Sequence, residues 1–103
     1  MSFTIKRNDT APSYAVLLDT GVSLATATVK FIMTLKGETT PKVDAAALVI
    51  DGPTGSVRYD WVAGDTDEEG IYDAEWEITY ANGRKQTLPD DDYLEVIVKA
   101  DLG

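Results

Sequence analysis

An all-β fold of two packed antiparallel sheets, a sandwich of roughly seven to eight short strands, is what this sequence predicts. Two observations carry that expectation. Apolar residues recur at every second position in segment after segment, and no stretch keeps the i, i+3, i+4, i+7 spacing of a helix for three turns. Turn-forming clusters interrupt the chain about every ten residues. The 103 residues, Met1–Gly103, make a single β-sandwich domain with room for one core.

The elements follow in order. Residues 3–6 open with alternation, and after a break at Ala11-Pro12 residues 14–18 form an apolar segment around Val16. Val29, Phe31 and Met33 alternate with Thr28, Lys30 and Thr34, while Ile32 puts an apolar side chain on the second face. Residues 37–41 read as a loop. Residues 45–50 are ambiguous, because Asp44 and the three alanines after it suit a helical turn whereas Leu48-Val49-Ile50 prefers a strand; a single strand is the expectation.

Beyond the turn at residues 51–55, Val57, Tyr59 and Trp61 alternate with Ser56, Arg58 and Asp60. The longest pattern comes next. Tyr72, Ala74, Trp76, Ile78 and Tyr80 share one face, and Asp73, Glu75, Glu77 and Thr79 the other. Asn82-Gly83 suits a two-residue primed hairpin turn, whose central residues both need positive φ. Its partner strand spans residues 85–88, Pro89 and the three aspartates at 90–92 end it, and residues 93–100 make the last strand with Leu94, Val96 and Val98 on one face.

The segment Glu68-Glu69-Gly70-Ile71-Tyr72-Asp73-Ala74 resembles the immunoglobulin corner pattern, acid-x-Gly-x-Tyr-x-Cys, with Ala74 in the cysteine's position. An immunoglobulin-like sandwich without the inter-sheet disulfide is therefore expected. The Tyr72 hydroxyl would bond back to the backbone of the preceding loop, and Trp61 and Trp76 would fill the core where the bridge is missing. Trp61, Tyr72 and Trp76 are the predicted structural core.

Composition excludes much chemistry. Hydrophobic residues at 44% and charged residues at 26% are ordinary globular values. The chain has no His and no Cys, which removes the usual general base near neutral pH, the thiol nucleophile and the commonest transition-metal ligands. Four serines without histidine give no nucleophile and base pair beyond a Ser-Lys arrangement, and no glycine-rich loop opens a helix to cradle phosphate. No enzymatic activity, cofactor or metal is expected. The zero cysteine count and a first segment without a basic stretch and apolar run point to synthesis in the cytoplasm with no signal peptide.

The net charge of −9 is uneven: residues 1–50 hold five bases and four acids, residues 51–103 four bases and fourteen acids. Nucleic acid and anionic membrane are not expected as partners, since both need clustered Lys and Arg. Two acidic clusters invite a metal or a hydrolytic reading. Asp65, Asp67 and Glu69 with Gly70 match the first half of a calcium loop, but the position that needs a closing Glu is Trp76. Asp90, Asp91 and Asp92 are adjacent, a spacing that seldom holds two carboxylates about 5–10 Å apart across a cleft. Both read as solvated turns.

The outward ladder of Asp73, Glu75 and Glu77 is the more informative surface. Three like charges at two-residue spacing repel, and neighbouring cations such as Arg58, Lys30 or Lys99 are the internal relief the sequence offers. The other reading makes this ladder a partner-contact face that meets a basic surface of another subunit. Residues 60–77 contain eight acids and no base, which favours keeping it.

Residues 55–89 carry a family resemblance. The pattern Gly55-x-Val57-x-Tyr59-x-Trp61, then Gly64-Asp65-Thr66, Gly70-x-Tyr72-x-Ala74-x-Trp76-x-Ile78, Asn82-Gly83 and Leu88-Pro89 resembles the N-terminal domain of phage baseplate upper proteins and related small immunoglobulin-like phage tail modules. Ile5 to Pro12, the apolar segment after it and the strand expected from Leu24 to Thr34 extend the resemblance over nearly the whole chain. The resemblance implies a non-enzymatic virion structural protein of the tail or baseplate that binds other phage virion proteins, with a trimer or hexamer in the particle as an expected homo-oligomer. The chain ends at Gly103 without the helical and receptor-docking regions of those proteins. A capsid decoration protein is the alternative within the same class. A carbohydrate- or cell-surface-binding module is the alternative outside it, and Tyr14, Tyr80 and Tyr93 are the aromatics it would use. Edge strands around residues 3–6 and around Tyr93 are expected to offer free backbone for strand addition, with Pro12 and Pro89 shielding others.

Overall fold

The computed structural model describes residues 2–102, which fold into nine strands in two facing sheets. These are β1 (Ser2–Lys6), β2 (Tyr14–Leu17), β3 (Thr28–Leu35), β4 (Val43–Ala46), β5 (Leu48–Asp51), β6 (Ser56–Tyr59), β7 (Gly70–Thr79), β8 (Lys85–Leu88) and β9 (Leu94–Lys99). The larger sheet runs β1-β9-β7-β3-β4, and β8 continues the β9 side of β7; the smaller sheet runs β2-β6-β5. The fold is thus an all-β sandwich, with one strand more than the upper expectation.

β7 shows why alternation works. Its inward side chains Tyr72, Ala74, Trp76 and Ile78 are at most 1% exposed, and outward Asp73, Glu75, Glu77 and Thr79 are half-buried while Ile71 is exposed. Opposite it, Val29, Phe31 and Met33 of β3 are equally buried, in register with Ile78, Trp76 and Ala74. Phe31 is the hub of the core. Its ring lies 4.9 Å from that of Tyr59, 4.8 Å from Trp76, 5.6 Å from Trp61 and 5.8 Å from Tyr14, joining both sheets, and Phe3 closes one end by stacking on Tyr14 at 4.6 Å. Trp61 and Trp76 both pack on Phe31, so aromatic contacts occupy the sandwich interior.

The Tyr72 hydroxyl donates to the Glu68 carbonyl at 2.6 Å, a tyrosine corner that ties the loop before β7 to the strand itself. Tyr72→Phe leaves that carbonyl without its partner. A loss of about 1–2 kcal/mol and a melting point lower by roughly 5–15 °C are expected, measured by thermal unfolding followed by circular dichroism.

Several expectations need correction. The segment 45–50 is two strands, not one. At Ala47, whose amide bonds to the Val29 carbonyl at 2.8 Å, the chain leaves the larger sheet and enters the smaller, so Leu48 and Ile50 are about half exposed instead of core. The sandwich is not wholly antiparallel, because β1 runs parallel to β9 from Ser2 opposite Glu95 to Lys6 opposite Lys99. The third strand starts at Thr28, and Leu24, fully buried, belongs to the loop before it. The β7–β8 turn is a three-residue loop: the Gly83 amide bonds to the Tyr80 carbonyl at 2.8 Å, the Tyr80 amide to the Arg84 carbonyl at 2.8 Å, and only Gly83 has positive φ. Asn82 instead accepts the Arg84 amide through its side chain at 3.0 Å. Gly55 is required where it stands, since its φ is +81° and an added Cβ would lie 2.2 Å from the Leu18 carbonyl oxygen.

Three tyrosines are held protonated by the fold. Burial raises Tyr14; burial, then the hydrogen bond and charge of Asp65, raises Tyr59; burial, then the charge of Glu68, raises Tyr72. A phenol with a raised folded-state pKa contributes stability that is complete below its ordinary value of 10.0 and is lost as pH climbs through the folded value. Stability should therefore fall above about pH 10, by up to about 1.4 kcal/mol per pH unit for each phenol. In an alkaline titration, part of the tyrosinate absorbance should appear together with loss of the β-sheet circular dichroism; ionisation of every tyrosine before unfolding would contradict this.

Candidate acidic docking face

The outward surface of the larger sheet is built by register. On β7, Asp73 lies between Thr34 of β3 and Glu95 of β9, Glu75 opposite Ile32, and Glu77 between Lys30 of β3 and Thr87 of β8. All three ladder residues therefore share one face and one strand. Their internal relief differs from the sequence expectation. Lys36 bonds to Asp73 at 2.8 Å, and Lys85 approaches Glu77 at 4.0 Å. Lys30, although opposite Glu77, turns to Asp44 at 2.7 Å. Arg58 is on the other sheet and pairs with Asp60 at 2.8 Å, and Lys99 forms no ion pair among the described residues.

Glu75 has no ion-pair partner among the described residues. It sits where β7 passes from β9, whose pairing ends at Ala74 opposite Leu94, to β8, whose pairing begins at Trp76 opposite Leu88. The chain leaves the sheet in that gap. Tyr93 stands beside it, 54% exposed, between two shallow depressions of about 240 and 400 Å³ that share Tyr93 and Asp73. Glu38 and Glu75 line one, Asp92, Glu95 and Lys36 the other. Five carboxylates thus surround one aromatic ring and one ammonium. The hydrogen bond to Asp73 holds the Lys36 ammonium above its ordinary range, partial desolvation works against it, and the charges of Asp73, Glu95 and Asp92 add to the rise.

This arrangement suits a cationic side chain better than a metal ion. No group of three or more Asp and Glu converges on one point among the described residues. An exposed phenol ring flanked by carboxylates offers an arginine or lysine its π face and a counter-charge together, which is worth about 0.5–2 kcal/mol per cation beyond the ion pairs.

The other sequence candidates are placed elsewhere. Asp65 accepts the Tyr59 hydroxyl at 2.6 Å and the Val62 amide at 3.0 Å, so it serves the fold. Thr66, 1% exposed, donates to the Asp9 carbonyl at 2.8 Å and its own carbonyl accepts the Asn8 amide at 2.9 Å, locking the end of β1 to this loop. Asp67 pairs with Lys42. Asp90, Asp91 and Asp92 are exposed in the turn between β8 and β9. Among the glycan-binding candidates, Tyr14 is 4% exposed and is corrected to core, and the Tyr80 hydroxyl is engaged by Gln86 at 2.7 Å. Only Tyr93 is an open aromatic. The segment around it is not an edge either, because β9 pairs with β1 on one side and β7 on the other.

Sequence reasoning missed Glu95, Glu38, Asp92 and Lys36 as members of this face. Glu95 alternates with Val96 and so was legible as outward, but its place beside Asp73 depends on the β7–β9 register. No protein-family model and no curated protein sequence matches this chain.

Proposed function

We propose that this chain is a non-enzymatic structural module of a bacteriophage virion, a tail or baseplate component that binds neighbouring virion subunits through the outer face of its larger sheet. The observation that carries this reading is the acidic face itself: Asp73, Glu75 and Glu95 crowd around the exposed Tyr93, and Glu75 has no ion-pair partner among the described residues. Like charges kept opposite one another, as Asp73 and Glu95 are, lower the stability of an isolated domain. They raise the speed and selectivity of docking onto a basic surface. The resemblance of residues 55–89 to phage tail modules supplies the setting, and the aromatic core with its tyrosine corner is compatible with it.

The test is immunogold labelling of particles released from cells that carry this gene, with an antibody raised against the purified domain. Gold at the tail or its tip supports the reading. Gold over the head would favour a capsid decoration protein, and absence of the protein from intact and disrupted particles alike would remove the virion assignment. Tyr93 beside Asp73 and Glu75 also gives a carbohydrate-binding reading one specific observation, since an exposed ring offers a sugar's apolar face a stacking surface and the carboxylates can accept its hydroxyls. Binding to a glycan array that is lost in Tyr93→Ala would favour that reading.

A further inference from the structure

Five strands border the two sheets: β1, β4 and β8 in the larger, β2 and β5 in the smaller. Natural edges are blunted with charge, proline or a bulge, because an unprotected edge pairs with other chains. Four of these five follow that rule. Within the strands themselves, β1 carries the exposed Lys6, β4 carries Asp44 in its ion pair with Lys30, β5 is irregular between Val49 and Asp51, and β8 begins at the exposed Lys85.

β2 does not. Its residues Tyr14, Ala15, Val16 and Leu17 include no charge and no proline, its register with β6 is continuous, and Leu17 is 73% exposed. Beside it lies a groove of about 280 Å³ between the two sheets, walled by Val16 and Leu18 on one side and Leu88 and Leu94 on the other, with Trp76 beneath. The groove reaches Leu94, next to the residue opposite which β1 starts. β1 begins opposite Glu95, and Phe3 stacks on Tyr14, so the Tyr14 end of the seam is covered while among the described residues nothing of β1 covers the Leu18 end. The charged residues that border the groove are Asp19 and Asp90, both exposed and neither in an ion pair among the described residues.

We propose that the free edge of β2 is a strand-addition site for an extended segment of a partner protein that has alternating apolar side chains and a Lys or Arg at its ends. The segment pairs its backbone with β2, as an added strand does, and lays its apolar side chains into the groove. Its cationic side chains meet Asp19 and Asp90, which border the groove. A second copy of this chain is the wrong occupant, because a net charge of −9 and the two acids that border the groove repel it. The site adds a contact to the assembly reading above and its test uses no particle, so its failure leaves that reading standing.

The probe is a synthetic eight-residue peptide of alternating valine and threonine with lysine at both ends, titrated into the isotope-labelled protein. Amide shifts are expected at residues 15–19 and 88–94, with hydrogen exchange at β2 slowed at least about tenfold at saturation and a Kd below about 1 mM. Methylating one set of alternate peptide amides should abolish binding and methylating the other set should leave it, as only one set faces β2. The double variant Asp19→Lys with Asp90→Lys should prefer the same peptide ended in glutamate by at least about tenfold. No shift up to millimolar peptide, shifts at another edge, indifference to methylation, or indifference to the charge swap would each overturn the proposal. Self-association through β2 in sedimentation equilibrium would overturn the assignment of a foreign partner.

Discussion

Trp76→Ala should remove about 3–5 kcal/mol of stability, and the melting point should fall by roughly 15–25 °C. Trp76 is fully buried, tilted against Phe31 at 4.8 Å and against Tyr14 at 5.6 Å, and it also floors the groove beside β2. Truncation opens a cavity between two sheets that are each held in place by their own hydrogen bonds, so the walls close in only partly and much of the cavity term is retained. A domain of this size has about 5–15 kcal/mol in total, so a large fraction would go with one side chain. Trp76→Phe isolates the cause. The indole N–H has no hydrogen-bond partner among the described residues, so the replacement discards no protein polar contact and keeps a ring against Phe31. A cost about half that of alanine is expected. Denaturant unfolding of the three proteins measures both; equal midpoints for wild type and Trp76→Ala would mean that the two sheets are not held through this residue.

The sandwich was legible where each strand states its own face. Tyr72, Ala74, Trp76 and Ile78 repeat at period two with acids between them, and no other register buries that set. The tyrosine corner was legible for the same local reason, since the hydroxyl and the carbonyl that accepts it are four residues apart. Pairings between distant segments were not. Nothing within residues 2–6 says that they run parallel to residues 95–99, and the alternation of β1 would suit either direction. Ala47 gave no signal of the switch between sheets, because the apolar residues on both sides of it continue the pattern while the chain changes partner. Tyr14 reads as well for a glycan platform as for core, and only the stack of Phe3 and the edge of Phe31 decide it. The candidate face divides in the same way. Asp73, Glu75 and Glu77 follow from one strand, whereas Glu95, Lys36 and Tyr93 join them through register and a loop.

Reversing charge at Glu75 and Glu95 should separate the stability of the domain from its assembly, with opposite signs. Glu75→Lys puts an ammonium between Asp73 and Glu77 on the same strand face, and Glu95→Lys puts one directly opposite Asp73 where a like charge now stands. Glu75→Lys replaces a repulsion by an attraction, and Glu95→Lys gains an attraction to Asp73 that is partly offset by repulsion from Lys36, so the isolated domain should be unchanged or more stable by up to about 1 kcal/mol. A partner with a basic surface experiences the reverse. Two cations now face its own, and like-charge juxtaposition across an interface costs several kcal/mol, so a loss of about 3 kcal/mol, or roughly a hundredfold in affinity, is expected for the pair. Much of it should lie in the association rate and shrink as salt is raised, because the rim of such a face is screened over about 8–10 Å. The measurement is the amount of each protein retained on purified particles at low and high ionic strength, set beside the thermal stability of the free domain. A variant that loses particle binding because it unfolds would show a lower melting point. Retention at the wild-type level by a stably folded double variant would take the acidic face out of assembly and leave the carboxylates around Tyr93 as a solvated surface.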